Sequence, residues 1–331
     1  MSDLLAPDER GLACPAGGFH VDPWRPVPVA VVTHAHADHA RPGSGRYYAT
    51  AASLPLLKRR LGPDADVVGL EAHESVRLGE TRVSLHPAGH VLGSAQARVE
   101  GPDETWVVSG DYKLDPDPTC APFEAVPCDV FVTESTFALP IYRWDPPERT
   151  GRELARWWES CRDDGRPALL FAYALGKAQR LLAMLGADRV WTHGAVETIV
   201  EAYREAGVDL PPTRRVADAP ASERFAGELV LAPPSAHRSP WMRRFRGAST
   251  AFASGWMRVR GARRRVGYER GFALSDHADW RGLLAAVRAT GARRVLATHG
   301  YADVLARHLA QTGLETGIVE TRYEGEREAE A

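Results

Sequence analysis

No run of about 18 uninterrupted apolar residues occurs in the 331-residue chain, which excludes a hydrophobic membrane-spanning helix. The opening MSDLLAPDERGLACPAGG lacks the basic and apolar regions of a secretory signal, so the expected compartment is the cytoplasm. Cysteine is scarce: Cys14, Cys120, Cys128 and Cys161 lie far apart with no C-x-x-C spacing, which argues against a disulfide framework or a zinc finger and predicts reduced thiols. Internal repeats are absent. The terminal ETRYEGEREAEA is the one biased segment, read as a solvated tail. What remains is 44% hydrophobic and 25% charged, a globular composition at a length that suggests two domains or one with an insertion.

Lysine is scarce too, at three of the 41 basic residues, and the net charge of -2 conceals an uneven distribution. Residues 1–150 carry 13 basic and 21 acidic side chains, whereas residues 151–331 carry 28 and 22. Ten arginines fall between 238 and 270, among them Arg258, Arg260, Arg263 and Arg264, with Glu269 the only acid. Guanidinium forks match phosphate oxygens, so the segment reads as a contact surface for an anionic polymer. A solvated face in an arginine-rich protein is the alternative. Trp241, Trp256 and Tyr268 among these arginines suit base stacking or, more commonly, a core.

Short β-rich runs bounded by Gly and Pro fill the first 135 residues: VPVAVVT, RVSLHP, SAQARVE, TWVVSG and CDVFVTES. Near residue 150 the texture changes. GRELARWWESCRDD, PALLFAYA, GKAQRLLAMLGA, RVWTH and AVETIVEAYREAG alternate helix and strand, a pattern of parallel βα units. DPPERTG (145–151) reads as the linker between the two textures. The closing DHADWRGLLAAVRATG, RRVLATHG and ADVLARHLAQTG give helix, strand and helix.

Chemistry concentrates after the strand that ends at Thr33. His34, His36, Asp38 and His39 are four potential ligands within six residues, spaced only by alanine. Imidazole and carboxylate suit borderline metals such as Zn, and an open catalytic site uses about three protein ligands and a water. Four exceed one ion's need, so two metals are expected, with partners from elsewhere. His90 in PAGHVLGS, Asp111 in VVSGDYK and His299 in LATHGY each follow a β-run or turn, and Asp111 is the natural bridging carboxylate. Gly93, Ser94, Ser109 and Gly110 are expected to form the turns that aim these ligands. Lys177, at a predicted helix start behind Gly176, reads either as a phosphate contact or as an exposed helix lysine. His20, His73, His86, His193, His237 and His308 show no partner pattern and read as structural.

THAHADH resembles the signature of the metallo-β-lactamase fold, and His90 and Asp111 resemble its further metal motifs. Asp22 in GGFHVDPW resembles the aspartate that props the metal loop. TESTF with Glu134, FALSDHADW with His277 and THG with His299 resemble motifs A, B and C of the β-CASP nucleic-acid hydrolases. FAYALGKAQRLL and FASGWM resemble the two ends of the β-CASP insertion. With GGFHVDPW, GWMRVRGARRR and LSDHADW, the pattern is most like the bacterial ligase-associated DNA exonucleases. The resemblance covers nearly the whole chain. One position cuts across it: His299 matches the RNA-cleaving branch, where the eukaryotic DNA cross-link nucleases carry valine.

The resemblance implies an α/β architecture, an αββα metallo-β-lactamase sandwich with an inserted α/β β-CASP domain. Its parts are 1–150 and 272–331 for the sandwich and 151–271 for the insertion. It places His34, His36, His90 and Asp111 on one divalent ion and Asp38, His39, Asp111 and His299 on a second, Zn first and Mn second, with a metal-bridged hydroxide as nucleophile. Asp38 also counts as catalytic. His277, paired with Glu134, is either a general acid or phosphate clamp or half of a structural hydrogen bond. The implied activity is DNA exonucleolysis at single-stranded or frayed ends in repair, with the site expected between the acidic and basic parts and a DNA ligase and repair factors as partners. The alternative is a β-CASP ribonuclease. A small-molecule hydrolase does not account for the basic insertion, and a decayed binding subunit does not account for the full set of ligands.

Overall fold

Alternating burial along short strands decides how the chain is layered. The computed structural model describes residues 3–186, 189–259 and 267–321. They separate into two compact units, one built from the chain up to Tyr142 and from His277 onward, the other from Arg143–Asp276. In the first unit β1 (Ala6–Pro7), β2 (Leu12–Cys14), β3 (Phe19–Val21), β4 (Val29–Val31), β5 (Arg46–Thr50) and β6 (Val67–Leu70) lie in chain order as one sheet. A second sheet begins with β7 (Ser75–Leu78), β8 (Thr81–Pro87), β9 (Ala95–Glu100), β10 (Thr105–Val108) and β11 (Val130–Glu134).

The chain then builds the other unit from β12 (Ala168–Phe171), β13 (Val190–Thr192), β14 (Thr213–Arg215), β15 (Leu229–Ala232), β16 (Ser249–Ala253) and β17 (Arg270–Phe272). Their order is β14-β13-β15-β12-β16-β17 and every pairing is parallel. Central β12 is buried along its whole length, as a parallel strand covered on both faces requires. Helices α2 (Pro147–Asp163), α3 (Lys177–Leu185) and α4 (Gly194–Glu205) alternate with these strands, as the βα texture predicts. Segment 145–151, read as a linker, instead holds the first turn of α2, which Pro147 opens with its fixed φ. Trp241, Trp256 and Tyr268 pack against this unit's core, in the commoner of their two readings.

Back in the first unit, β18 (Arg294–Thr298) and β19 (Glu315–Val319) add to β11 in parallel, giving the order β19-β18-β11-β10-β9-β8-β7. Strand alternation then sorts the side chains. Trp106, Val108, Val130, Val132 and Leu296 join Val21, Val31 and Leu85 in one core. Their neighbours Val107, Phe131, Val295 and Ala297 face the other way, onto Leu283, Val287 and Leu305 of α5 (Trp280–Thr290) and α6 (Ala302–Ala310). Each large side chain so buried contributes about 1.5–3 kcal/mol, which makes both faces of the second sheet obligatory contacts. Across the first sheet, α1 (Leu54–Leu61) approaches Gly69, where a Cβ would lie 2.8 Å from a methyl of Leu54. The result is the expected helix–sheet–sheet–helix sandwich. Among the described residues no disulfide joins the four cysteines, and no helix is long and apolar enough to cross a membrane.

Candidate metal centre

Strand direction gathers the polar residues. β10, β11 and β18 run parallel, and β8 shares their direction because β9 is antiparallel to both β8 and β10. Their C-terminal ends therefore lie at one edge, and the residues just beyond or at those ends are His90, Asp111, Glu134 and His299. The His34–His39 loop arrives at the same edge from β4, fastened where the Ala95 N–H donates to the Thr33 carbonyl at 2.8 Å. All these groups belong to the first unit.

The nitrogens meet at ligand spacing. His36 Nδ1 is 3.1 Å from His34 Nε2 and 3.1 Å from His90 Nε2. Asp111 Oδ2 is 3.4 Å from His34 Nε2 and 3.7 Å from His90 Nε2. A second set shares that carboxylate. His39 Nε2 lies 3.7 Å from Asp111 Oδ2 and 3.8 Å from Asp38 Oδ2, and His299 Nε2 lies 3.3 Å from Asp111 Oδ1. Two ligands each about 2.0–2.1 Å from one ion are themselves roughly 3–3.4 Å apart, so the first three imidazoles already stand at the separation a shared cation imposes. The donor set fits divalent metal: neutral nitrogen and carboxylate oxygen, with Asp111 common to both groups.

Hydrogen bonds outside the pocket fix which ring edge faces in. Thr33 Oγ1 donates to Asp22 Oδ2 at 2.6 Å, so its lone pair accepts the Nδ1 proton of His34 at 3.0 Å and turns Nε2 inward. His39 Nδ1 donates to the same Asp22 oxygen at 2.8 Å, while the Thr33 N–H donates to its other oxygen. Asp22 itself sits at φ 43°, a conformation rare for a non-glycine residue. Asp22→Ala is expected to lower metal affinity about 10–100-fold, since His39 and His34 both lose their orientation. Competition against a chromogenic chelator measures it.

Proton occupancy is divided sharply. Burial holds His36 down to about 4, with His34 adding to the effect. His90 lies well below the ordinary imidazole range, through burial first and His277 next. Burial alone would lower His39 as well, but Asp111, Asp38 and Asp22 prevail and push it up to about 10. Asp111 is held well below the usual carboxylate range against its own burial, chiefly by His39 and His277. Protein stripped of metal thus keeps a proton on His39 between the ordinary value and about 10, and a cation must displace it. Near neutral pH, uptake is expected to release about one proton, with affinity rising as pH rises. Titration calorimetry in buffers of different ionisation enthalpy checks this.

His277 and Glu134 stand beside the pocket. His277 Nδ1 donates to Glu134 at 2.9 Å, and the Tyr112 N–H reaches Oε1 of the same carboxylate at 2.8 Å. The His277 ring is 4.7 Å from that of His90.

Two positioning residues escaped the sequence reading although each adjoins a residue of the site. One is Thr33. The other is Ser135, whose hydroxyl donates to the Thr298 carbonyl at 2.7 Å and touches that of His299, while its own carbonyl accepts from the Tyr301 N–H. This holds His299 at φ 36°, and a Cβ on the adjacent Gly300 would meet the Ser135 carbonyl at 2.4 Å. The expected turn residues do serve: Ser94 Oγ accepts from the N–H of His90, and Gly110 adopts φ 54° where a Cβ would strike Thr33.

The basic residues fare differently. Lys177 is fully buried, its ammonium 3.6 Å from Asp276 and 4.5 Å from the ring centre of Tyr173. Neither reading of it as an exposed lysine or a phosphate contact survives, because it has no surface to offer. Arg258 is partly exposed and paired with Asp145 at 3.2 Å. Arg260, Arg263 and Arg264 lie outside the described residues.

The chain is 33% identical over 315 residues to a probable DNA ligase of Opitutus terrae, covering 94% of this chain and 30% of that protein. It is 30% identical over 207 residues to a ribonuclease of Thermus thermophilus, covering 53% of this chain and 45% of the other. It is 30% identical over 128 residues to an Integrator complex subunit 11 homolog of Dictyostelium discoideum, covering 38% and 17%. The chain thus spans less than half the length of these curated relatives. A solved Enterococcus faecalis protein of unknown function shares the fold, with a TM-score of 0.62 at 13% identity over 89% of this chain and 80% of that one. No family model matches.

Proposed function

We propose that this chain, which belongs to the β-CASP group of metallo-β-lactamase-fold proteins, is a metal-dependent phosphodiesterase that trims DNA ends. One observation carries the reading: two donor sets meet on the single carboxylate of Asp111, with the His277–Glu134 pair alongside. Divalent cations bound there, Zn first and Mn second, supply Lewis-acid activation of water and neutralise phosphate charge. His34, His36 and His90 would hold one, and Asp38, His39 and His299 the other, with Asp111 shared. Asp22 keeps His39 aimed inward. Glu134 accepts the Nδ1 proton of His277 and its charge favours the imidazolium, whose Nε2 proton can pass to the departing oxygen or clamp a phosphate oxygen.

DNA is the preferred polymer because the match to a probable DNA ligase runs through 94% of this chain. A hydrolase that trims ends gives such a ligase joinable termini, so a ligase and repair factors are the proposed partners, in the cytoplasm. Burial of His34, His39 and His90 favours a single strand or a frayed end over intact duplex. A ribonuclease is the second reading. It is favoured by His299, which stands within the second donor set, and by the likeness to a ribonuclease. Digestion of 5′- and 3′-labelled single-stranded DNA and RNA of equal sequence, with Zn, Mn and Mg compared, tests both. Products from DNA in preference to RNA support the first reading, the reverse supports the second, and products from neither overturn both.

A further inference from the structure

Four of the six histidines read as structural have structural partners. His20 pairs with Asp8, His193 caps α4, His237 stacks on Tyr268 and His308 packs edge-on against Trp280. His73 and His86 do something else. They face each other nitrogen to nitrogen, Nδ1 to Nδ1 at 3.1 Å, with ring planes 77° apart. The hairpin that pairs Ser75 with Ser84 puts them there, since its register continued by two residues sets His73 opposite His86. Glu124 joins them, and one ligand atom from each of the three lies within 4.8 Å of the others.

We propose that His73, His86 and Glu124 form a separate surface site for a divalent cation of the borderline class, Zn2+ foremost, that braces the strand leading to His90. The 3.1 Å gap is the separation of two imidazole ligands on one ion, the same as between His34 and His36. Ser84 Oγ is 3.0 Å from His86 Nε2, so with the Nε2 proton directed at that oxygen the His86 Nδ1 lone pair faces His73, as in metal-bound histidines, and Glu124 reaches within 3.5 Å of the His73 ring as the third donor. The site lines a groove of about 330 Å3, open to an incoming ion.

The brace follows from what the ligands are attached to. His73, at φ 67°, is tied to β8 where its N–H donates to the Leu85 carbonyl at 2.9 Å. The Glu124 N–H donates to the Pro87 carbonyl at 3.1 Å, and Gln96 Nε2 bridges the carbonyls of Pro87 and Glu124. A cation on these three side chains therefore fastens a turn, β8 and the 124 segment together, three residues before His90.

His73→Gly is the decisive variant, because glycine takes a positive φ without strain while the imidazole is lost. Full-length protein is stripped with chelator and dialysed against micromolar Zn2+, and bound metal is counted by mass spectrometry. His73→Gly is expected to hold one equivalent less than wild type, to keep hydrolysis of labelled single-stranded DNA within about threefold, and to gain less thermal stability from Zn2+. Glu124→Gln should weaken the same equivalent without removing the hairpin contact. Equal metal content in wild type and His73→Gly, with both folded by circular dichroism, would overturn the site. The count does not depend on what the pocket hydrolyses, so failure of the proposed function leaves it standing or falling on its own.

Discussion

Asp111→Ala is expected to lower hydrolysis by roughly 10^3-fold or more and to empty the pocket of at least one cation. Asp111 is the one group within 3.3–3.7 Å of ligand nitrogens in both donor sets. Its loss leaves each set one donor short. It also leaves His39 with less counter-charge, since Asp111 heads the carboxylates that raise it. A dication contributes several kcal/mol of charge stabilisation, and each 1.4 kcal/mol is tenfold in rate, which gives the size of the loss. Initial rates and metal content measured on the same preparation check it. A variant that kept its metal and ran within tenfold of wild type would show that the two sets are not functionally joined.

His277→Ala should behave differently: metal content unchanged, turnover down about 10^2–10^4-fold, the range of a lost general acid. The ring sits against His90 but donates its Nδ1 proton to Glu134, outside the two donor sets. Glu134→Gln should lose less, because glutamine still accepts that proton but no longer supplies charge, and the alkaline limb of its pH–rate profile should move to lower pH as the imidazolium loses its counter-charge. If His277→Ala loses metal and activity together, the residue is a ligand or a prop. If it loses neither, the pair is only a buried hydrogen bond.

The donor cluster was legible because its spacing is chemically extravagant: four potential ligands between His34 and His39, spaced only by alanine, have no use in a core. Asp22 was reached by resemblance, and its three hydrogen bonds supply the physical reason. The gathering of His90, Asp111, Glu134 and His299 was reached by resemblance and not from the residues themselves, since it depends in part on β18 pairing with β11 across more than 150 residues of intervening chain. Strands β5, β16 and β19 went unread because RYYAT, STAFA and ETGIV are short and weakly alternating. Lys177 was misread for a related reason: its local setting at a helix start says nothing of Asp276, nearly a hundred residues away, with which it is buried. His73 and His86 were passed over because thirteen residues separate them, and only the hairpin register shows them to be opposed.

The most direct test is a titration of the metal-stripped His73→Gly protein, which isolates the pocket, with Zn2+ or Mn2+ while cleavage of labelled single-stranded nucleic acid is followed. Cleavage should be absent at the start, grow with cation bound, and level off at two equivalents. Cleavage that persists without metal, or a folded protein that takes up none, would contradict the paired-cation centre built on Asp111.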